Sequence, residues 1–509
     1  MANGFGRGNG AAAAAGGRPE RLWDGDEIAD RFWKFYREET STRAITRLQF
    51  AEHVGYLLFL KLDHERAQRS ARFAHPPVAP ADAWPDLALL SGDALHTRLT
   101  ALMDDLGDQS LTGRPDRQTA SVVFRDAQPW DLDRMAELNK LIVEQIDPYQ
   151  WLTVRQAELG GAFSRMLRDC RDDIDLKIDT GQTLTPLPIL NAITKVLGVG
   201  PEDIVIDPAC GTGTTLIAAY NAMLAANQQL PPTALAGADL DAQMCRLAML
   251  NILLHTGRPF SAPAPVQLAD TLKRKSPVVR SVSGVVPTVA ICNPPFKSNG
   301  VQPDATMRDD FWAYGDFPTN FLQHLAITLP QGARAAVFVP DGVLFGGGAA
   351  ATVRHNLLRN CDVHTLLRLP TGLFHRKGVK SNILFFTKSA PKPNGDPATK
   401  DLWVYDARTG NHHTDTGNPV TEADFEDFIA SCLPEGGFTA RTESASKRFR
   451  RYPVADLLAR PKTSLDLKAH LAPELGDFGS PKEIASEVAD RLDEAAAHFR
   501  QVAEALPGK

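Results

Sequence analysis

From Val199 onward short apolar runs alternate with stretches of helical spacing, and this alternation constrains the fold more than any other feature of the chain. The runs 204–206, 234–238 and 288–292 end at Asp207, Asp239 and Asn293, and a weaker run over 266–268 precedes Ala269-Asp270. Further runs follow over 334–339, 363–369 and 383–387, with helical spacing between them over 215–226, 242–255 and 321–329. Strands separated by helices predict a parallel sheet with right-handed crossovers. The expected fold class is α/β, a doubly wound Rossmann-like core. Its ligands belong beyond the carboxyl ends of the strands.

The sequence before this core has a different grammar. Residues 1–19 are rich in Gly and Ala and read as a flexible tail. From about 26 to 106 apolar residues recur at three- and four-residue steps, as in Ile28, Phe32, Phe35 and then Phe50, Val54, Leu57, Leu58, Leu62. The segment 56–60 is almost entirely apolar, which places its helix at the centre of a bundle. A Pro-rich patch over 76–85 interrupts the pattern, and helical spacing resumes over 132–145. After about Pro391 the chain turns loop-rich and polar. It closes on a capping box with Pro at the first helical position, Ser480-Pro481-Lys482-Glu483. Ile484, Val488, Leu492, Ala495, Phe499, Val502 and Leu506 then form one apolar seam, suited to docking on the chain's own body or on another subunit. The expected division is a tail over 1–19, a helical domain over 20–155, an α/β domain over 156–395 and a C-terminal region over 396–509 ending in that helix.

Location follows from what the chain lacks. The tail has neither the basic start nor the apolar core of a signal peptide. No run approaches the roughly 18–20 apolar residues that span a bilayer. Six cysteines are scattered without a close pair, so neither a disulfide framework nor a Cys-rich zinc site is expected. The cytoplasm is the expected location, with no membrane partner. Net charge is −6, from 55 basic and 61 acidic residues. Strong autonomous DNA binding is therefore not expected, although a local basic cleft remains compatible with it.

The first strand leads into Asp207-Pro208-Ala209-Cys210-Gly211-Thr212-Gly213-Thr214. Glycines at 211 and 213 let the backbone turn sharply and approach a ligand, and the following helix offers free amides. The spacing is not G-x-G-x-x-G, and no Lys follows as in a P-loop. A small nucleoside carrying a carboxylate and an ammonium fits, and S-adenosylmethionine is such a molecule. Asp207 would pair with the ammonium. Asp239 is placed to accept both hydroxyls of a ribose, with Asp241 as a near alternative. Asp270 would accept from the adenine amine. Cys210 and Cys292 read as packing residues.

Asn293-Pro294-Pro295-Phe296 is the most discriminating tetrapeptide. Two prolines rigidify the turn after a strand and fix the direction of the Asn amide. The Asn side-chain oxygen and the Pro294 carbonyl are acceptors, and Phe296 supplies a stacking face. Such a site suits a planar substrate with an NH2 conjugated to its ring. Two acceptors can bind both amine protons and free the nitrogen lone pair for attack on a methyl group. Neither a metal nor a covalent nucleophile is required.

The order Asp-Pro-x-Cys-Gly-Thr-Gly, then Asn-Pro-Pro-Phe, resembles the amino-methyltransferases that modify adenine at N6. The resemblance is closer still to the modification subunit of Type I restriction–modification enzymes. It continues upstream in Gly181-Gln182-Thr183-Leu184-Thr185-Pro186, and downstream in the segment 332–345, in Leu369-Pro370-Thr371-Gly372-Leu373-Phe374 and in Ser381-Asn382-Ile383-Leu384-Phe385-Phe386. It implies a methyltransferase core with an N-terminal helical domain and a C-terminal helical extension. It implies that Thr183, Thr185 and Pro186 touch the methionine part of S-adenosylmethionine. Asp207, Pro208, Gly211, Thr212 and Gly213 would form the main pocket, with Asp239 on the ribose and Asp270 on the adenine. Asn293, Pro294, Pro295 and Phe296 would hold a target adenine flipped from double-stranded DNA. The usual aromatic before Thr185 is absent.

The roughly 110 residues after the core are too few to read a base sequence alone, so specificity is expected from a separate DNA specificity subunit. The resemblance implies two copies of this chain per specificity subunit, with a restriction subunit added for cleavage. Two rival classes use related residues. One methylates amino groups of RNA or protein with the same tetrapeptide, and the other is a non-catalytic scaffold of a different DNA-defence assembly.

Overall fold

The structure, a computed structural model, describes residues 24–40, 45–69, 78–111, 117–170, 185–226, 234–258, 264–273, 286–296, 308–370, 372–373, 380–390, 392, 394–408, 413, 418–467 and 489. The expected tail over 1–19, Thr183 and the closing capping box with its apolar seam lie outside the described residues.

Among the described residues the chain begins with the helices α1 (Gly25–Phe35), α2 (Arg47–Arg69), α3 (Ala83–Leu89), α4 (Gly92–Leu106), α5 (Gln118–Val123), α6 (Met135–Lys140) and α7 (Gln156–Asp169). The α1 helix starts where the Asp24 carboxylate accepts the Asp26 amide at 2.8 Å. As the apolar run at 56–60 predicts, α2 is central, with residues 50–63 all buried. Two of its buried acids are answered inside. Asp63 accepts the Val78 and Ala79 amides, and Glu65 accepts those of Trp151 and Leu152.

The core continues with α8 (Leu187–Leu197), β1 (Val205–Asp207), α9 (Thr214–Ala226), β2 (Leu235–Asp239), α10 (Ala242–Thr256), β3 (Val266–Leu268) and β4 (Val289–Cys292). Then come α11 (Phe317–Thr328), β5 (Arg334–Pro340), α12 (Asp341–Phe345), α13 (Ala349–Asn360), β6 (Cys361–Arg368) and β7 (Ser381–Lys388). The last elements are β8 (Asp401–Asp406), α14 (Glu426–Cys432), β9 (Phe449–Pro453) and α15 (Val454–Ala459). The nine strands form one sheet in the order β3-β2-β1-β4-β5-β7-β6-β8-β9.

Strand residues alternate between two apolar layers, as a period of two demands. Val205, Ile291 and Phe338 join the layer with α8, α9 and α10, whereas Ile206, Ala290, Cys292 and Val337 join that with α11 and α13. The first layer is continuous with the leader, so Phe50, Leu57 and Phe163 belong to the same apolar cluster as Leu216 and Leu250. The doubly wound α/β fold is thus present, with the helical leader packed on one of its faces.

Two expectations need correction. The sheet is not parallel throughout, because β7 runs antiparallel to both β5 and β6. Antiparallel neighbours need no crossover helix between them. Beyond Pro391, where a loop-rich polar region is expected, β8 pairs parallel with β6, and β9 pairs antiparallel with β8. The carboxyl ends of β1, β2, β4, β5, β6 and β8 share one edge of the sheet, and all candidate site residues that are described lie along its first half.

Candidate active site

The loop after β1 is shaped by two left-handed glycines, Gly211 at φ +52° and Gly213 at φ +79°. Side chains disfavour that region, and a β-carbon at 213 would also stand 3.3 Å from Ala248 of α10. The loop is tied down from both sides. The Cys210 amide donates to the Ala238 carbonyl at 2.9 Å, and the Thr271 hydroxyl donates to the Pro208 carbonyl at 2.7 Å.

Asp207, at the end of β1, is 1% exposed. Its carboxylate accepts the Ala209 amide at 3.0 Å and a hydrogen bond from Thr215. Burial, which outweighs those bonds, pushes its pKa up to about 7, with the neighbouring Asp239 adding to the rise. No cationic side chain of the described residues opposes this. Asp207 is therefore a buried carboxyl that a cation would stabilise in its charged form.

The two acids after β2 have different jobs. Asp239 is 3% exposed and accepts the Gly211 amide on one oxygen and the Asp241 amide on the other, both at 3.0 Å. Asp241 is exposed and caps α10, accepting the Met244 amide at 3.0 Å. Asp239 thus lies against the glycine loop, while Asp241 is spent on a helix start. Leu240, between them, is 69% exposed. Asp270 is half-buried beyond β3 and accepts the Leu272 amide at 3.1 Å.

Asn293 follows β4, the strand beside β1. Its side-chain amide donates to the Thr185 hydroxyl at 2.9 Å. Thr185 is buried and stands just before α8, with Pro186 as that helix's N-cap. With the nitrogen end of the amide so engaged, the oxygen end is left to accept. Pro294 is buried, and Phe296 is half-buried and packs on the apolar layer shared with the leader. The structure therefore gathers Asp207, Pro208, Gly211, Thr212, Gly213, Asp239, Asp270, Asn293, Pro294, Pro295, Phe296, Thr185 and Pro186 around the carboxyl ends of β1 to β4.

The thiols of Cys210 and Cys292 are both buried, and burial drives them far above the usual thiol range. Both stand in the apolar layers of the sheet, Cys210 with α9 and α10 and Cys292 with α11 and α13.

Sequence reasoning missed a brace behind the loop. Asn251 of α10 is fully buried and donates from its amide to the Thr212 carbonyl at 3.0 Å. The oxygen of that amide accepts from the Ser164 hydroxyl of α7 at 2.9 Å. Helix α7, which precedes the sheet, thus supports the glycine loop through one side chain. The only trace in the sequence is an Asn on the apolar face of a helix.

The N-6 DNA Methylase family model matches residues 159–444. The methylase subunit of the Type I restriction enzyme StySPI from Salmonella potsdam is 28% identical over 421 residues, covering 79% of this chain and 75% of that protein. A chain from a structure of type I R-M system assembly superposes with a TM-score of 0.68 at 23% identity, over 94% of this chain and 98% of the other. The type I restriction-modification methyltransferase subunit of Streptococcus thermophilus gives a TM-score of 0.65 at 17% identity, over 86% and 97%. At these identities the two structures speak for the fold.

Proposed function

The chain belongs to the N-6 DNA methylase family, and on that premise we propose that it is the modification subunit of a Type I restriction–modification complex. In this reading it moves a methyl group from S-adenosylmethionine to N6 of an adenine rotated out of double-stranded DNA. The observation that carries it is the Asn293 amide, oriented by Thr185 at the end of β4 beside the glycine loop.

The residues present fit the cofactor. Asp207 is a buried carboxyl in want of a cation, Gly211 and Gly213 hold a left-handed backbone that side chains disfavour, and Asp239, against the Gly211 amide, is assigned to the ribose. Asp270 is assigned to the adenine amine, and exposed Leu240 offers it an apolar face. Thr183 and Pro186 are assigned to the methionine end, with Thr185 shared between cofactor and Asn293. When bound, S-adenosylmethionine supplies an electrophilic methyl on a positive sulfur.

The chain's own part is to prepare the nucleophile. An adenine N6 is a weak one, because its lone pair is delocalised into the ring. The Asn293 oxygen and the Pro294 carbonyl accept its two protons, and Phe296 holds the ring by stacking. So held, the nitrogen would be drawn towards a tetrahedral shape with its lone pair free to attack the methyl that the cofactor would supply, and one amine proton would pass to solvent.

Base reading is assigned to a separate DNA specificity subunit, with a second copy of this chain and a restriction subunit completing the assembly in the cytoplasm. Among the described residues no helix is long and apolar enough to cross a membrane. The test is transfer of labelled methyl from S-adenosylmethionine to DNA, by the chain alone and with its specificity subunit. Label on adenine N6 only with the partner is the expected result. Label on RNA or protein with none on DNA, or cofactor binding without any transfer, overturns the reading.

A further inference from the structure

The edge that carries the candidate site continues past β4, and its next stretch is built with unusual rigidity. In the pairing of β4 with β5, Cys292 lies opposite Val337, so β5 runs three residues further before α12 begins at Asp341. Here α12 follows directly on the carboxyl end of β5, the strand that neighbours β4 and so Asn293. It ends at Phe345, a large aromatic that is 49% exposed.

Arg354 fixes this turn from below. It is fully buried, and its guanidinium donates to four carbonyls: Val343 at 2.6 Å, Gly346 at 2.7 Å, Lys462 at 2.6 Å and Thr463 at 2.9 Å. Burial pushes its pKa down to about 10, which leaves it charged at neutral pH. The Leu465 amide adds a 2.8 Å bond to the Leu344 carbonyl. Two segments more than a hundred residues apart are thus locked side by side. The clamp also holds Lys462 at φ +57° and Thr463 at φ +48°, two consecutive non-glycine residues in the left-handed region. Such a conformation persists only where the surroundings impose it. Its result is that the exposed Lys462 side chain lies along the glycines, its ammonium 3.6 Å from where a β-carbon of Gly347 would stand.

Local charge agrees with an anionic partner. The stretch 447–462 has Lys447, Arg448, Arg450, Arg451, Arg460 and Lys462 against the single acid Asp456 in sequence, and of these Arg451 pairs with Asp401 at 3.2 Å. An aromatic and an ammonium, both exposed and rigidly presented, match the two chemistries of a nucleic acid: stacked bases and phosphates.

We propose that Phe345 and Lys462, clamped by Arg354, form the surface that grips the DNA duplex next to the flipped adenine. Lys462 takes a backbone phosphate and Phe345 packs against the bases left beside the vacated position. This rests on the functional reading above.

The test uses the full chain in its complex, with a plasmid that the wild-type complex methylates. Lys462→Asn removes the charge and suits the left-handed backbone, and Phe345→Ala removes the ring. Lys462→Asn is expected to reduce the slope of log Kd for DNA against log salt by about 1. Phe345→Ala is expected to raise KM for DNA roughly tenfold. Both should leave the S-adenosylmethionine Kd and the melting temperature at wild-type values, which a general folding defect would not. An unchanged salt slope and an unchanged KM in an active enzyme overturn this surface alone. A wild-type complex that neither binds nor methylates any duplex overturns the functional reading together with it.

Discussion

The Asn293 side-chain amide donates to the Thr185 hydroxyl at 2.9 Å, across 108 residues of sequence. One bond thus joins the loop assigned to the cofactor's methionine end to the residue assigned to the substrate amine. It also sets the amide's direction, because an Asn whose nitrogen is engaged presents its oxygen to the site.

Asn293→Ala should therefore abolish methyl transfer, by roughly a hundredfold or more, while cofactor binding stays close to wild type. Thr185→Val keeps the shape and removes the acceptor. The freed amide can then turn, and kcat should fall about five- to a hundredfold, the range for one unsatisfied hydrogen-bonding group. Single-turnover transfer measured beside calorimetric cofactor binding separates the two variants. Normal turnover in Asn293→Ala would sink the mechanism.

A pH prediction follows from Asp207. Its carboxyl holds a proton up to about pH 7 in the folded chain, against 3.8 as the ordinary value. Between these values the folded state binds the extra proton, so this group's contribution to stability falls as pH rises and levels off above about 7. Asp207→Asn should consequently melt higher than wild type at pH 8, with the gap closing towards pH 4. A ligand cation requires the ionised form. Wild-type affinity for S-adenosylmethionine should then weaken by up to about tenfold per unit below pH 7, whereas Asp207→Asn should bind weakly at every pH. Melting curves and binding isotherms across pH 5–8 check both signs, and a flat wild-type affinity would refute the role of Asp207.

The brace behind the glycine loop makes a separate claim. Asn251→Ala leaves the Thr212 carbonyl without its buried donor and Ser164 without its acceptor. Cofactor affinity should drop about fivefold or more, as expected for loss of about 1 kcal/mol of positioning. Asn251→Asp keeps the acceptor for Ser164 but not the donor to Thr212, and should not restore binding. Equal affinity in Asn251→Ala and wild type would make the brace irrelevant to the loop.

What was legible in the sequence follows from how far each interaction reaches. Asp207, Asp239, Asp270 and Asn293 stand at strand ends, and the strand–helix alternation alone marks such places. The choice between Asp239 and Asp241 needed three dimensions, because only the structure places Asp239 on the Gly211 amide and Asp241 on a helix cap. The Thr185–Asn293 bond and the Ser164–Asn251–Thr212 chain are long-range, and no spacing rule encodes them. The reversed sense of β7 was invisible for another reason, since an apolar run reads the same in either direction. Finally, β9 escaped notice because it is an edge strand with only Phe449 buried, so its Arg450, Arg451 and Tyr452 break any apolar pattern.

The attachment of the leader to the core includes a buried ion pair. Glu52 of α2 accepts from the Arg246 guanidinium of α10 at 2.8 Å, from Tyr56 at 2.8 Å and from Gln243 at 2.8 Å. Both charges are nearly covered, at 5% and 9% exposure. Glu52→Gln removes one charge and strands the other, which costs about 3–5 kcal/mol in such settings. Replacing both residues with Met removes the stranded charge and should recover most of that loss. Because Phe50 and Leu57 share one apolar cluster with Leu216 and Leu250, leader and sheet should unfold together. Urea unfolding tests this, since Trp33, Trp84, Trp130 and Trp151 report on the leader while Trp403 on β8 reports on the sheet. Substituting one group of tryptophans with Phe at a time should give coincident transitions, both shifted to lower urea in Glu52→Gln. Separate midpoints in the wild type, with the leader melting first, would mean that the ion pair joins two independent units.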